Sequence, residues 1–163
     1  DNDANGVIDD RFGANFVDPE NPSGEVYDDY GHGTHIAGII AAEANNEIAI
    51  AGINWNAKIM TIKAFNQEGV GTVESVFEAF EYILNNFADK VKVIHLSVSF
   101  PHEARGILGT KIQEAYQDGI ITVASAGNAS AGNRDAYQVF PANTKPAISV
   151  GASTHVEGKL ADY

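Results

Sequence analysis

The 163-residue sequence contains no cysteine, one methionine, one tryptophan and five prolines. Without cysteine the chain has neither a disulfide framework nor a thiol nucleophile. Basic side chains are also scarce: 10 Lys and Arg stand against 22 Asp and Glu, for a formal net charge of −12. Nucleic-acid backbones and anionic membrane surfaces require clustered cations, so neither is an expected partner. The excess of carboxylates instead suits hard cations such as calcium.

Long apolar runs are absent as well. No stretch approaches the roughly 18 residues of a membrane-spanning helix, and residues 1–15 do not resemble a signal peptide. The apolar share of 44% and the 16 glycines are those of an ordinary globular protein. Because the chain opens inside an acidic stretch, we interpret residues 1–163 as one partial domain of a longer protein.

Strand-like and helix-like segments alternate along the chain. Helical patterns cover 32–42 and 103–117 and also begin at Thr72, while strand-like runs cover 11–17, 57–65, 91–100, 120–124 and 147–150. Small residues predominate in the helix from His32 to Ala42, which predicts tight packing in a core. The alternation predicts an α/β three-layer sandwich with a mostly parallel sheet, incomplete here. In such folds functional groups lie where strands end and helices begin.

The first segment at such a border is Gly31-His32-Gly33, which leaves an imidazole free at a helix start. His32 and His35 share a helix face, so one interpretation makes them zinc ligands. No third ligand stands nearby, and two structural histidines are the plainer alternative.

Two further segments follow strands. Asn128, preceded by Gly127 after the strand 120–124, has an amide N–H that would suit a developing oxyanion, although a simple turn is the alternative. Residues 93–97 (V-I-H-L-S) form a strand that ends in a small hydroxyl residue. Taken alone, this run indicates only a core strand.

Together, and in this order, the three segments resemble the subtilisin family of serine peptidases. Residues 31–38 (G-H-G-T-H-I-A-G) are similar to the family's histidine motif, residues 123–128 (V-A-S-A-G-N) to its oxyanion-hole segment, and residues 93–97 to the strand that lines its substrate cleft. The resemblance continues through 148–152 and 158–161. It implies a secreted or cell-envelope, calcium-stabilised serine endopeptidase that cleaves polypeptides.

The resemblance also implies residue roles. In this family a serine attacks the scissile carbonyl, a histidine carries the proton, and an aspartate orients the imidazole. His32 matches the general acid/base, and Asn128 matches the oxyanion donor. The substrate would pair as an added strand along Ser97, Val98 and Ser99. After this strand the family usually has one or two glycines, which admit the P1 side chain of the substrate. Val98, Ser99 and Phe100 stand here instead and are expected to narrow or reshape that pocket.

Two family motifs are missing from the sequence. No D-S-G or D-T-G segment carries the aspartate, and no G-T-S-M-A segment carries the nucleophile. We therefore expect this chain to be inactive alone; the alternative is a catalytically dead binding or scaffold module on the same fold. The aspartate's strand would lie between the 57–65 and 91–100 strands. Either a partner chain replaces it, or its neighbours close up, or the sequence is a piece of a larger molecule.

Residues 1–10 alternate carboxylate and amide oxygens around Gly6, as in a calcium loop. The candidate ligands are Asp1, Asp3, Asn5, Asp9, Asp10 and the Val7 carbonyl. The pattern begins like an EF-hand, but its twelfth position is Phe12, and a solvated acidic loop is the alternative. Some subtilisin relatives carry a similar calcium-binding insertion, which favours the metal.

A second candidate calcium ligand is Asn46. The segment 45–50 is similar to the loop that forms the family's tight calcium site, although a polar bulge explains it nearly as well. A third hypothesis for the whole chain is a calcium-binding module in which the histidine segment is incidental.

Overall fold

A computed structural model describes residues 3–8, 10–100, 104–128, 139–156, 159 and 161. In chain order the elements are β1 (Gly13–Asn15), α1 (His32–Ala41), β2 (Thr61–Lys63), α2 (Val73–Phe87), β3 (Val93–Leu96), α3 (Arg105–Gln117), β4 (Ile121–Ser125) and β5 (Ile148–Val150). All pairs of these strands are parallel. The predicted α/β class and the incomplete sheet are confirmed. The chain divides into two compact units, residues 1–79 and 80–163.

The first unit contains the two-stranded sheet of β1 and β2. Ala14 pairs with Ile62 in this ladder, and the Phe16 amide continues it by donating to the Lys63 carbonyl at 2.7 Å. Gly13 is required here because a side chain at this position would strike the Thr61 backbone. Buried apolar residues of the unit include Val7, Ala14 and Phe16.

Helix α1 corrects one expectation. Its bounds agree with the predicted helix, but none of its residues is buried and Ile39 is 41% exposed. The prediction of a helix packed tightly in a core is therefore wrong for this chain. Small residues permit close packing only where another element lies against them, and the short two-stranded sheet of the same unit offers little surface for this.

Helix α2 begins as its sequence predicts. The Thr72 hydroxyl accepts a hydrogen bond from the Ser75 amide at 3.0 Å and also contacts the Ser75 hydroxyl at 3.0 Å. This cap satisfies one of the free N–H groups of the first turn. Val76, Phe80 and Ile83 are buried along the helix, in keeping with its apolar periodicity.

The second unit contains the three-stranded sheet β3-β4-β5, with α3 against it. Leu108, Ile112 and Ala115 of α3 are buried. Lys111 binds Glu114 at 2.6 Å and also pairs with Glu81 of α2. Among the described residues, no helix is long and apolar enough to cross a membrane.

Two strands are much shorter than predicted. Only 61–63 of the 57–65 run and only 93–96 of the 91–100 run form ladders, because a strand exists only where a neighbour pairs with it. β2 belongs to the two-stranded sheet and β3 to the three-stranded sheet.

Candidate functional site

His32 is the first residue of α1 and is exposed. Gly31 precedes it in a left-handed conformation (φ 91°) that favours glycine, and it supplies no side-chain cap. Asp28 acts in its place. Its carboxylate accepts hydrogen bonds from the Gly31 amide at 2.7 Å, the Thr34 amide at 2.7 Å and the Thr34 hydroxyl at 2.6 Å. The first turn of α1, and His32 with it, is therefore held by one carboxylate.

The same hydrogen bonds keep Asp28 ionised. The Thr34 hydroxyl makes the largest contribution, and the amides of Thr34 and Gly31 add to it, so the pKa of Asp28 is lowered to about 2. A carboxylate at a helix N-terminus also interacts favourably with the helix dipole. The negative charge is fully present at neutral pH.

The loop before His32 has two more anchors. The Lys63 ammonium of β2 bonds both Asp29 carboxylate oxygens at 2.9 Å and donates to the Tyr27 carbonyl at 2.8 Å. The Tyr30 ring lies directly on Gly69, where a β-carbon would be only 2.8 Å from the ring. Loop and helix start are thus fixed to β2 and to the turn that follows it.

The predicted substrate segment, Ser97–Ser99, belongs to the second unit. β3 and β4 pair in parallel up to Leu96 and Ala124, so both chains leave the sheet at the same edge. The predicted substrate residues Ser97–Ser99 therefore emerge beside the segment that leads to Asn128. His95 Nε2 lies 2.7 Å from Ser97 Oγ at the end of β3.

Asn128 is exposed at the carboxyl end of β4. The Ala126 amide donates to the Val150 carbonyl at 2.8 Å, which extends the β4-β5 ladder just past the strand. Gly127 then adopts a left-handed conformation (φ 91°) that turns the chain away from the ladder. Asn128 thus follows the carboxyl end of β4, at the same edge of the sheet where the predicted substrate segment leaves β3.

Residues 139–140 contact both segments that leave β3 and β4. The Phe100 amide donates to the Phe140 carbonyl at 2.9 Å, and the two residues form an antiparallel bridge. The Val139 side chain packs on Gly127, where a β-carbon would lie 2.9 Å from Val139 Cγ2. Phe140 is fully buried. These contacts link the ends of the two segments.

The structure places the predicted catalytic residues in different units. His32 lies in the first, whereas Asn128 and Ser97–Ser99 lie together in the second. Sequence reasoning missed Asp28, because a capping residue is expected next to the helix start and not four positions before its first residue. An aspartate ahead of a Gly-His helix start is the signal that points to it.

The N-terminal acidic loop is only partly described. Asp1 and Asp9 lie outside the described residues. The Asn5 amide nitrogen donates to Asp3 at 3.0 Å and to Asp10 at 2.6 Å, and its oxygen accepts from the Val7 amide. The Asn5 side chain thus contacts the carboxylates of both Asp3 and Asp10. Among the described residues no three His, Asp or Glu side chains are grouped closely enough to hold a metal.

The loop of Asn46 has an unusual backbone. Asn45, Glu47 and Ala49 all have positive φ (60°, 60° and 37°), and the Asn46 side chain accepts a hydrogen bond from the Ile48 amide at 3.0 Å. The loop is closed at its base where the Gly52 amide donates to the Ala42 carbonyl at 2.9 Å. Residues 43–51 line a pocket of about 270 Å³.

Comparison with known proteins supports the sequence resemblance. The model of the subtilase family matches residues 2–163. Subtilisin-like protease 1 of Plasmodium berghei is 37% identical over 130 residues, which are 80% of this chain and 20% of that protein. Subtilisin DY of Bacillus licheniformis is 35% identical over 142 residues, which are 86% of this chain and 48% of that protein.

Solved structures agree on the fold. Sphericase superposes with a TM-score of 0.81 at 21% identity, covering 97% of this chain and 58% of that one. A cold-adapted subtilisin-like serine proteinase superposes with a TM-score of 0.72 at 27% identity, over 91% of this chain and 54% of that one. The chain therefore spans little more than half of these structures and from a fifth to a half of the two relatives above.

Proposed function

Since the chain belongs to the subtilase family, we propose that it is the histidine-bearing and substrate-binding part of a secreted serine endopeptidase. The nucleophilic serine and the orienting aspartate come from chain outside residues 1–163. We call the protein that includes them the complete peptidase. Polypeptides are its substrates, and residues 1–163 alone have no peptidase activity.

The observation that carries this proposal is the shared edge of β3 and β4. Ser97–Ser99 and Asn128 leave the sheet side by side, as a substrate strand and an oxyanion donor require. A scaffold protein needs neither arrangement. The exposed His32 imidazole, held at the start of α1 by Asp28, supplies the third element.

The chemistry assigns a step to each residue. A substrate strand pairs with residues 97–99, which places its scissile carbonyl near Asn128. As the serine oxygen attacks that carbonyl, His32 takes the hydroxyl proton and later donates it to the leaving amine. The Asn128 amide donates to the oxygen that becomes negative in the tetrahedral intermediate.

Labelling with a fluorophosphonate probe, read by intact mass, tests this function. We expect the 163-residue chain of 17.3 kDa to remain unlabelled, and the complete peptidase to gain one probe per molecule. An unlabelled complete protein would favour the alternative of a catalytically dead binding module. Labelling of the short chain itself would show that another residue serves as nucleophile.

We also propose that calcium stabilises the protein at the loop of residues 43–51. Left-handed conformations at Glu47 and Ala49 each cost on the order of 1 kcal/mol or more, so the loop needs a compensating interaction. A hard cation bound by backbone carbonyls and the Asn46 side chain supplies one. The hydrogen bond from the Gly52 amide to the Ala42 carbonyl closes the base of this loop and keeps its carbonyls close together.

The N-terminal loop is the second proposed calcium site, with Asp1, Asp3, Asn5, Val7, Asp9 and Asp10 as its ligands. The Asn5 amide nitrogen now lies between the carboxylates of Asp3 and Asp10. Because an amide hydrogen carries only a partial positive charge, a divalent cation in this position interacts more strongly with both carboxylates. Rotation of the Asn5 amide would turn its oxygen toward the ion.

Asn46→Ala tests the loop site. Calcium at about 100 times its Kd should add about 2.7 kcal/mol to the free energy of unfolding per site, and the variant should lose the share that comes from this loop. Thermal unfolding with calcium or EGTA, together with calorimetric titration, measures both quantities.

Asn54→Ala is the matched control, because Asn54 accepts the Asn56 amide at 3.1 Å in the same kind of turn outside the loop. It should keep the full calcium response. An equal loss in both variants would contradict calcium binding at Asn46.

A further inference from the structure

We propose that Asn5 is a site of spontaneous covalent modification, at which the side-chain amide is lost as ammonia and an aspartate or isoaspartate residue remains. Asparagine is a thermolabile residue, and Asn5-Gly6 is the only Asn-Gly pair in the sequence. The inference is independent of the peptidase function. It is carried by the hydrogen bonds of Asn5 and by the conformation of Gly6.

The reaction takes place at the peptide bond between Asn5 and Gly6. Once a solvent base has taken its proton, the Gly6 amide nitrogen attacks the side-chain carbonyl carbon of Asn5, Cγ. A bond forms between these two atoms, the bond from Cγ to Nδ2 breaks, and Nδ2 leaves as ammonia after it has gained a proton from water. Water then opens the cyclic imide at either of its carbonyls. The net change exchanges NH2 for OH, and water is the only reactant required.

The structure holds the Asn5 side chain over the peptide group that must attack it. Asn5 Oδ1 accepts a hydrogen bond from the Val7 amide at 3.0 Å. The ring that this bond closes contains the Gly6 nitrogen, so Cγ does not swing away from that nitrogen while the bond persists. Holding two reacting groups together in this way lowers the entropic part of the barrier.

The same hydrogen bond stabilises the transition state. When the Gly6 nitrogen adds to Cγ, negative charge develops on Oδ1, the atom to which the Val7 N–H already donates. A donor in place at the oxygen that becomes negative is the arrangement of an oxyanion hole. Val7 is only 2% exposed, so little water competes for this bond.

Gly6 leaves room for the attack. It has a left-handed φ of 88°, and no atom lies within 4 Å of the position that a β-carbon would occupy. Any other residue would place a side chain beside the attacking nitrogen and would adopt this backbone conformation less readily.

Four other asparagines have the same hydrogen bond but a larger following residue. The amide two positions later donates, at 2.9–3.1 Å, to the side-chain oxygens of Asn15, Asn46, Asn54 and Asn66. The residues that follow these asparagines are Phe16, Glu47, Trp55 and Gln67. The four positions are therefore internal controls for the effect of the glycine.

The modification changes the charge of the N-terminal acidic loop. Asn5 Nδ2 now donates to the carboxylates of Asp3 at 3.0 Å and Asp10 at 2.6 Å. Its loss removes a donor from both carboxylates and leaves a third carboxylate beside them. Because like charges repel at such short distances, the modified loop depends on a bound cation more than the unmodified loop does.

Peptide mapping by mass spectrometry tests the proposal on the complete peptidase carrying His32→Ala, which does not digest itself. The protein is kept in mildly alkaline buffer with EGTA, so that no calcium draws the Asn5 oxygen away from Val7. The gain of one mass unit reports the conversion of each asparagine. We expect Asn5 to be converted at least about tenfold faster than the four internal controls, a factor that corresponds to ~1.4 kcal/mol of barrier. Equal rates at the five positions, or an Asn5 that stays intact, would overturn the proposal.

Two substitutions assign the effect to the glycine. Gly6→Ala should slow the conversion of Asn5 by about tenfold or more, but a side chain at this left-handed position also strains the loop. Trp55→Gly makes the same comparison elsewhere, because it replaces a 60% exposed residue and gives Asn54 a glycine neighbour in the same turn. The conversion of Asn54 should then rise by about tenfold or more. An unchanged rate at Asn54 would contradict the role of the glycine, whatever the effect of Gly6→Ala.

Discussion

Replacing His32 with alanine in the complete peptidase is expected to lower kcat by about 10⁶-fold, a magnitude known from subtilisin, itself a member of this family. His32 is exposed at the first position of α1, and the Asp28 carboxylate fixes that turn through bonds of 2.6–2.7 Å. Without the imidazole, no group accepts the serine proton during attack. Steady-state hydrolysis of a peptide substrate, with circular dichroism to verify folding, measures the loss.

His35→Ala is the control for this experiment. His35 lies three positions further along the same helix and is also exposed, so the two substitutions perturb α1 alike. Its expected effect on kcat is within a few-fold, since it has no part in proton transfer. A His32→Ala enzyme that keeps more than a tenth of its activity would contradict the assignment of the general base.

Asn128→Leu is expected to lower kcat by about 10²–10³-fold, or about 2.7–4 kcal/mol, and to leave KM nearly unchanged; this magnitude too comes from subtilisin. The amide acts only as charge develops on the carbonyl oxygen, so its loss raises the barrier without weakening substrate binding. Asn128 is exposed just past the left-handed Gly127, at the carboxyl end of β4. Separate determination of kcat and KM provides the measurement.

The surface variant Asn85→Leu serves as the control for the same change of side chain. Asn85 is exposed on α2, where its side chain donates to Glu81 at 3.0 Å. It should leave both kinetic constants unchanged. If Asn128→Leu instead raises KM and preserves kcat, Asn128 binds the ground state and is not an oxyanion donor.

The contacts that link the ends of the segments after β3 and β4 were not predicted from the sequence. The run Val98-Ser99-Phe100 predicted a narrowed pocket, because glycine is usual there in the family. The structure adds that Phe100 is bound to Phe140 and that Val139 packs on Gly127. Each of these contacts joins residues that are distant in the chain, so no local sequence pattern predicts them.

By itself the sequence determined the family motifs, the order of strands and helices, and the capped start of α2 at Thr72. These features depend on neighbouring residues, namely the periodicity of apolar side chains and the local bonding of glycine and hydroxyl residues. The helix start at Gly31-His32-Gly33 and the turn at Gly127-Asn128 could be predicted from the sequence for the same reason.

Only the tertiary structure decided where the strands end, that β2 and β3 lie in separate sheets, and that α1 has no buried residue. It also decided that Asp28 holds the first turn of α1. A ladder, a buried face or a carboxylate clamp exists only where the chain brings a partner to it. Pairings such as Phe100 with Phe140 and Lys63 with Asp29 depend on the path of the chain between the two residues, which local periodicity does not contain.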